Sequence, residues 1–385
     1  MQYRWMKIMG LTMMMAGSGL VAQAQDSFKN MEDGAYHFTV VKDNDGGAVK
    51  NQFRTGTCWS FSTMSFYDAE AKRLSGSETN LSEMYTVRNA YFMKAERYVR
   101  LHGKTQFDEG GLATDVPKVM RRFGVMPAFA YEGNIKGQGQ VRNHAELVAV
   151  LKAMCDAFIE NHSRKLSPAW KDAVNGVLDA YFGAVPADFK VDGKTYTPKS
   201  YMEHLKLQPQ EYVALTSFTH HPYHSSFVVE VPDNWSRSTA FNLPLEELMA
   251  TLDEGLEQGY TAVWDADVSE RGFIHAAGLA VLPTDEMTKA DLDGKHYVAE
   301  QTVTPERRQE MFDNYQTTDD HLMHITGIVK DQEGKKYYII KNSWGADSNQ
   351  TDGYLYASEA YVKAKTISFF FNQSALSKQM QKAVR

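Results

Sequence analysis

A chain of 385 residues with 41 Lys and Arg against 48 Asp and Glu carries a net charge of −7, which leaves no electrostatic reason to bind nucleic acid. Only two cysteines, Cys58 and Cys155, are present, so a disulfide framework cannot hold the fold. The length suffices for two lobes with cores of their own. Residues 1–24 read as an export leader: Arg4 and Lys7, an apolar run from Ile8 through Val21, then Ala22-Gln23-Ala24 as a small-x-small cleavage site. The apolar run falls short of the roughly 20 residues that span a bilayer, so the expectation is a secreted or periplasmic protein with no membrane contact after cleavage.

Beyond the leader, only residues 25–57 precede Cys58, which is too little for a long folded pro-segment. Trp59, Phe61, Met64, Tyr67, Ala71 and Leu74 then recur at helical spacing until Gly76 stops them, so Cys58 opens a helix. A thiol placed there meets unpaired backbone N–H groups and the positive end of the helix dipole, which favour the thiolate. The same pattern also suits a small buried residue starting a core helix. Leu81-Ser82-Glu83 opens a second helix reaching Leu101, and Gly110-Gly111 precedes Thr114 and Asp115, two capping residues for a run from Val116 to Phe123. Gly133 to Gly139 is polar and marks a boundary. After it, His144 to Ile159 and Trp170 to Phe182 are amphipathic helices, the first burying Cys155, and Asp192-Gly193 is a hairpin turn. The cluster His220-His221-Pro222-Tyr223-His224 invites a metal reading, but proline interrupts it and no cysteine or carboxylate sits at ligand spacing. A loop is expected there, with no metal and no cofactor. Asn242 is the expected N-cap of a helix with Pro244 in its first turn and Leu245, Leu248, Met249, Leu252 and Leu256 on one face. Strands follow at Tyr260 to Asp265, His321 to Val329, Tyr337 to Asn342, Gly353 to Tyr356 and Thr366 to Phe371, with a turn at Asp331 to Gly334. The fold class is α+β, a helical lobe facing a β-rich lobe across a cleft.

A cysteine nucleophile needs a base for its proton and a third group to orient that base. Asp320-His321-Leu322-Met323-His324 supplies two imidazoles, and Asn342-Ser343-Trp344-Gly345 an amide and an indole. Along a strand His321, Met323 and Ile325 share one face and His324 the other, so only one histidine can meet Cys58, and the two cannot share a metal. Gln52, Cys58-Trp59-Ser60-Phe61, Asp320-His321 and Asn342-Ser343-Trp344-Gly345 resemble, in order, the four active-site blocks of the papain-like cysteine proteases. The resemblance implies a two-lobe fold in which His321 is the base and Asn342 orients it. It also implies that Gln52 and the Cys58 N–H hold the oxyanion, with Trp344 and Asp320 supporting the base. Gly110 and Gly111 would lie along the cleft, where an extended substrate meets backbone without side chains.

The departures from that pattern carry information. No disulfide cysteine stands near Cys58, and His321 lies 263 residues beyond it, against roughly 130 to 150 in papain relatives, so about 120 residues are inserted. Together with Phe107-Asp108-Glu109-Gly110-Gly111, Phe123-Gly124-Val125-Met126-Pro127, Tyr196-Thr197-Pro198 and Gln258 to Trp264, these departures resemble the bleomycin hydrolase and bacterial aminopeptidase C branch. The expected organisation is a peptidase domain over 25–371, with a helical lobe at about 35–135, a mainly helical insertion at about 136–241 and a β-rich lobe at about 242–371. A tail at 372–385 follows. The resemblance further implies peptide substrates and a homo-oligomer, hexameric in that branch. It implies aminopeptidase action through a C-terminal arm lying in the cleft, although Ser374 to Lys382 reads as helical, which shortens its reach. An endopeptidase, a transpeptidase or amidase sharing the thioester, and a non-catalytic peptide binder remain the alternatives.

Overall fold

The computed structural model describes residues 27–135, 142–161 and 165–384, so the expected leader and residues 136–141 lie outside the described residues. Strands β1 (Ser27–Lys29) and β2 (His37–Asp43) pair antiparallel ahead of helix α1 (Cys58–Ser75). The helix ends where Gly76 takes the left-handed φ of 74° that a residue without Cβ adopts freely. Trp59, Phe61, Phe66 and Tyr67 point in several directions, and all are buried because α1 lies between the large sheet and α2 (Glu83–Arg100). Ser82 caps α2, its hydroxyl accepting the Tyr85 N–H at 3.0 Å. In front of α3 (Asp115–Phe123), by contrast, Thr114 makes no capping bond, and the Asp115 carboxylate accepts the Leu112 N–H instead, at 3.0 Å. Helices α4 (Ala145–Ile159) and α5 (Trp170–Phe182) cover α2, and Cys155 is fully buried between them and it. The hairpin of β3 (Phe189–Val191) and β4 (Lys194–Tyr196) turns on Asp192 and Gly193, with φ of 49° and 79°, and leads into α6 (Pro198–His204).

The second half builds the sheet. Its elements are β5 (Tyr212–Thr216), β6 (Ser225–Val228), β7 (Thr239–Asn242), α7 (Leu245–Glu257), β8 (Ala262–Ala266), β9 (Phe273–Ile274) and β10 (Leu279–Ala280). They are followed by α8 (Pro305–Asp313), β11 (His321–Lys330), β12 (Lys336–Lys341), β13 (Tyr354–Ser358), α9 (Glu359–Lys365), β14 (Thr366–Asn372) and α10 (Lys378–Ala383). The strand order is β6-β7-β5-β14-β8-β11-β12-β13-β10-β9, with β2 pairing β11 and β1 pairing β2. Strand β11 is the axis. One of its edges pairs with β12 from His324 to Lys330, while the other pairs with β8 up to Ile325 and with β2 from Gly327. Gly327 permits the change of partner, since a Cβ there would sit 2.2 Å from the Lys42 carbonyl oxygen. Leu322 and Val263 belong to the core under α1, whereas Met323, Ile325 and Trp264 belong to the core under α7, so both faces of the sheet are covered by helices.

Three expectations change. Strands β5 to β7, in the stretch assigned to a mainly helical insertion, extend the sheet through the β5–β14 pairing. Asn242 is not a helix cap; Pro244 takes that position, while Asn242 ends β7 and spends its amide on a loop, accepting the Phe218 N–H and donating to the Phe218 and His221 carbonyls, each at 2.9 Å. The tail does not enter the cleft as far as Val384. It makes a single turn at Gln373–Ala375 and then α10, whose Met380 buries into the core under α7, with Val384 packed against the same core. Burying one such side chain is worth about 1.5–3 kcal/mol, which a free arm would forgo. Among the described residues no helix is long and apolar enough to cross a membrane.

Candidate active site

Cys58 is the first residue of α1, and the local chain keeps its backbone donors available. The cap residue Thr57 gives its hydroxyl to Thr55 Oγ1, at 2.6 Å, rather than to the helix, so the first N–H groups are not consumed by a side-chain cap. Gln52 arrives from the preceding loop, held by its own N–H on the Ser343 carbonyl at 2.8 Å and by its Oε1, which accepts the Ser343 hydroxyl at 2.6 Å. Its amide donates one hydrogen to the Thr55 carbonyl at 2.7 Å, which leaves the second as a donor beside the Cys58 N–H. Gln52 is thus fixed ahead of the helix that Cys58 opens, with one amide hydrogen not engaged by Thr55.

His321 opens β11, directly before Leu322, whose backbone N–H hydrogen-bonds the Cys58 sulfur. Its Nε2 donates to Asn342 Oδ1 at 2.7 Å, which leaves Nδ1 as the basic nitrogen. Asn342 is itself fixed. Its Oδ1 also accepts the Ser343 N–H at 2.8 Å, and its Nδ2 donates to His275 Nδ1 at 3.3 Å. His275 passes the relay on, donating from Nε2 to Ser348 Oγ at 2.9 Å, and Ser348 donates to the Gly345 carbonyl at 2.6 Å. Each proton in this chain has one consistent place, and the chain sets the His321 tautomer. The Trp344 ring lies 4.9 Å from the His321 ring and 4.7 Å from the His275 ring, beside the pair of histidines that Asn342 bridges. His275 belongs to no motif block and was missed; a lone histidine after a two-residue strand gives no sequence signal.

His324 is brought elsewhere. It faces α1, with Nδ1 2.9 Å from Ser65 Oγ, and burial beside Lys341 holds it neutral, well below its ordinary pKa. Asp320 does not reach Asn342; its carboxylate accepts from Thr318 Oγ1 at 2.7 Å and from the Val268 and Ser269 N–H groups at 3.2 and 3.1 Å, closing the turn before the base. Gly110 and Gly111 run beside Trp59, whose indole N–H donates to the Glu109 carbonyl at 3.1 Å. The room above Gly110 goes to the protein's own Asp233, since a Cβ on Gly110 would meet Asp233 Oδ2 at 1.9 Å. The His220 loop is a loop as expected, although Glu230 beyond β6, which spacing could not reveal, comes within 2.9 Å of His220 Nε2.

The electrostatics depart from the expectation of a lowered cysteine pKa. Burial pushes the Cys58 thiol up to about 12, with the carboxylates of Asp319, Asp233 and Asp265 adding to the rise and only the Leu322 N–H opposing it. Burial likewise pulls His321 down to about 4, against the opposing effect of Asn342. The pair is therefore neutral thiol and neutral imidazole in this arrangement, because desolvation of a charge outweighs the partial charge of a helix end.

A family profile described as the Peptidase C1-like family matches residues 185–385. Aminopeptidase C of Streptococcus thermophilus is 22% identical over 403 residues, covering 94% of this chain and 87% of its own. Aminopeptidase C of Lactobacillus delbrueckii subsp. lactis and aminopeptidase E of Lactobacillus helveticus are also each 22% identical, covering 88% and 84% of this chain and 82% and 80% of their own. In three dimensions PepW from Lactobacillus rhamnosis HN001 superposes with a TM-score of 0.70 at 19% identity, over 90% of this chain and 84% of that one.

Proposed function

This chain belongs to the Peptidase C1-like family, and from that premise we propose that it is a cysteine aminopeptidase whose nucleophile is Cys58 and whose base is His321. The observation that carries the residue assignment is the relay through Asn342, which leaves His321 Nδ1 as the basic nitrogen directly before Leu322, whose N–H hydrogen-bonds the Cys58 sulfur. In the reaction His321 Nδ1 takes the thiol proton and the sulfur attacks the scissile carbonyl. The carbonyl's electron pair moves to oxygen, where the Cys58 N–H and Gln52 Nε2 receive it. Collapse breaks the C–N bond and the departing amine leaves with the proton from His321. Water, deprotonated by His321, then releases the acid and restores the thiol. General base action of this kind contributes roughly 10²- to 10⁴-fold.

Restriction to the amino end is supported by the names of the relatives, aminopeptidases C and E. Delivery to the periplasm or outside the cell is part of the same proposal, resting on residues 1–24. The test is hydrolysis of leucyl-aminomethylcoumarin and of its N-acetyl counterpart by the full chain. Hydrolysis of the free-amino substrate alone supports the proposal, and equal rates on both replace it with an endopeptidase.

A further inference from the structure

The base is flanked by two strands, and on the β8 side the polar groups are of one kind. Asp265 of β8 pairs with Leu322 across the sheet, so its side chain lies on the Leu322 face, toward α1 and Cys58. It is 2% exposed, and the partner its carboxyl meets among the described residues is the Asp319 carboxyl, with which it shares a hydrogen bond; no N–H or hydroxyl donor reaches either oxygen. Asp319, two residues before His321, has a buried Oδ2 in the same condition. The third carboxylate, Asp233, comes from the loop joining β6 to β7.

That loop, residues 231–237, is tied to both lobes. Its Asn234 side chain closes it, donating to the Val229 and Ser238 carbonyls at 2.8 and 2.9 Å and accepting the Ser238 N–H at 2.7 Å. On the helical-lobe side Gln106 Nε2 donates to Asp233 Oδ1 at 2.8 Å, Thr105 Oγ1 donates to the Trp235 carbonyl at 3.4 Å, and the Asp233 carboxylate lies over Gly110. On the β-lobe side the Asp233 N–H donates to the Asp319 carboxylate. The loop therefore crosses from one lobe to the other next to the nucleophile.

We propose that Asp233, Asp265 and Asp319 form a receptor for the free α-ammonium of the substrate, and that the 231–237 loop closes the cleft behind it so that a single aminoacyl residue fits on the acyl side of Cys58. This rests on the aminopeptidase reading and gives it a structural cause other than the tail. An ammonium carries three donors and no acceptor, which suits a carboxylate cluster whose acceptor capacity is filled only in part, by Gln106 Nε2 on Asp233 and the Asp233 N–H on Asp319. Lys94 is the cation facing this group; one of its hydrogens goes to the Asp108 carbonyl at 2.6 Å and another to the Gly110 carbonyl, so its charge acts on Asp233 without a bond to it. With Asp320 also facing Asp265 and Asp319, the carboxylates outnumber it. Asp265 is held protonated by burial and by its neighbours, its proton shared with Asp319, and an arriving ammonium takes the place of that shared proton, which is released to solvent. A cation seated there also offsets the negative charge of this group, which raises the Cys58 thiol, so the right substrate favours its own attack.

The experiment uses the full chain and four arylamides: leucyl, N-acetyl-leucyl, 4-methylpentanoyl (leucyl without its amino group) and N-acetyl-lysyl-leucyl. The expected result is hydrolysis of the first in strong preference to the others, and a rise in KM for it of about tenfold or more in Asp233→Asn and Asp319→Asn, the loss of one charge-assisted contact each. A wild-type circular dichroism spectrum and a single cooperative melting transition in those variants separate the effect from misfolding. Should wild type prefer the leucyl substrate while both variants keep its KM, the receptor is overturned and the aminopeptidase reading stands. Should wild type cleave leucyl and N-acetyl-leucyl equally, the aminopeptidase reading itself falls. Preference for N-acetyl-lysyl-leucyl, lost in the same variants, overturns the proposal in favour of a receptor for a side-chain ammonium in an endopeptidase.

Discussion

The two flanks of His321 are opposites. On the β12 side Asn342, His275, Ser348 and the Gly345 carbonyl form a chain in which every donor meets an acceptor. On the β8 side Asp265 and Asp319 face each other, and beyond the proton they share and the Asp233 N–H on Asp319 the buried oxygens Oδ1 and Oδ2 of Asp265 and Oδ2 of Asp319 meet no donor among the described residues. A satisfied network fixes one geometry, which suits the orientation of a base. An unsatisfied one is costly to bury, at roughly 1–3 kcal/mol for each such group and more when it is charged, which suits a place where a partner arrives. The contrast supports the proposed division, orientation on one flank and selection on the other.

The largest break in the comparison removes what both flanks serve. Cys58→Ser and His321→Ala should each lower kcat for leucyl-arylamide by about 10³-fold or more, whereas His324→Ala, on the other face of β11, should keep kcat within a few-fold in whatever fraction folds. The reverse ranking of the two histidines would move the base. Within the oriented flank, Asn342→Ala should cost kcat roughly 10- to 100-fold with KM nearly unchanged, and His275→Ala, one step further out, only about 3- to 10-fold. An effect of His275→Ala confined to KM would show that it does not act through Asn342.

On the selecting flank, Gly110→Ala places a methyl 1.9 Å from Asp233 Oδ2 and so must displace the loop. The ratio of kcat/KM for leucyl over N-acetyl-leucyl substrate should fall by about fivefold or more, on the scale of one misplaced charge-assisted contact. An unaltered ratio would show that the loop does not set it. The smallest effect is on stability. An aspartate titrates near 3.9 in an unfolded chain, whereas burial and the neighbouring carboxylates push Asp319 up to about 7 in the folded one. Between those values the folded protein keeps a proton that the unfolded chain has released, so stability falls as pH rises from about 4 to about 7. Asn cannot release that proton. Asp319→Asn should therefore raise Tm by a few degrees at pH 8 and leave it unchanged near pH 4, read by calorimetry at both values.

The oriented flank was largely legible in the sequence, because Gln52, Cys58, His321 and Asn342 each sit in a short block with recognisable neighbours. The alternation argument separated His321 from His324 without showing which face α1 covers. The helix lies on the His324 face, and His321 takes part because it is the first residue of its strand. The selecting flank was not legible. Asp265 falls beside Trp264 in an alternating strand, where a carboxylate reads as solvent-facing; only the helices covering both faces of the sheet bury it. Asp233 lies 175 positions after Cys58, in a stretch expected to belong to a helical insertion, and nothing local announces that its loop spans the lobes. The tail erred differently. Its helical pattern was visible, but its packing partner, the Leu245–Leu256 face of α7, is a tertiary fact.

The neutrality of Cys58 bears on how the protein survives between substrates. Peroxides oxidise thiolates, not thiols, and a sulfur 8% exposed with its pKa pushed up to about 12 offers little of either form to an oxidant. Cys155, 0% exposed and likewise pushed up to about 12, adds no second target. Under hydrogen peroxide, labelling of sulfenic acid by dimedone should be slow in the resting protein and faster in Asp233→Asn, where one of the charges restraining the thiolate is gone. The buried carboxylates that raise the Cys58 thiol are thus expected to slow its oxidation as well, and their removal to shorten the working life of the nucleophile.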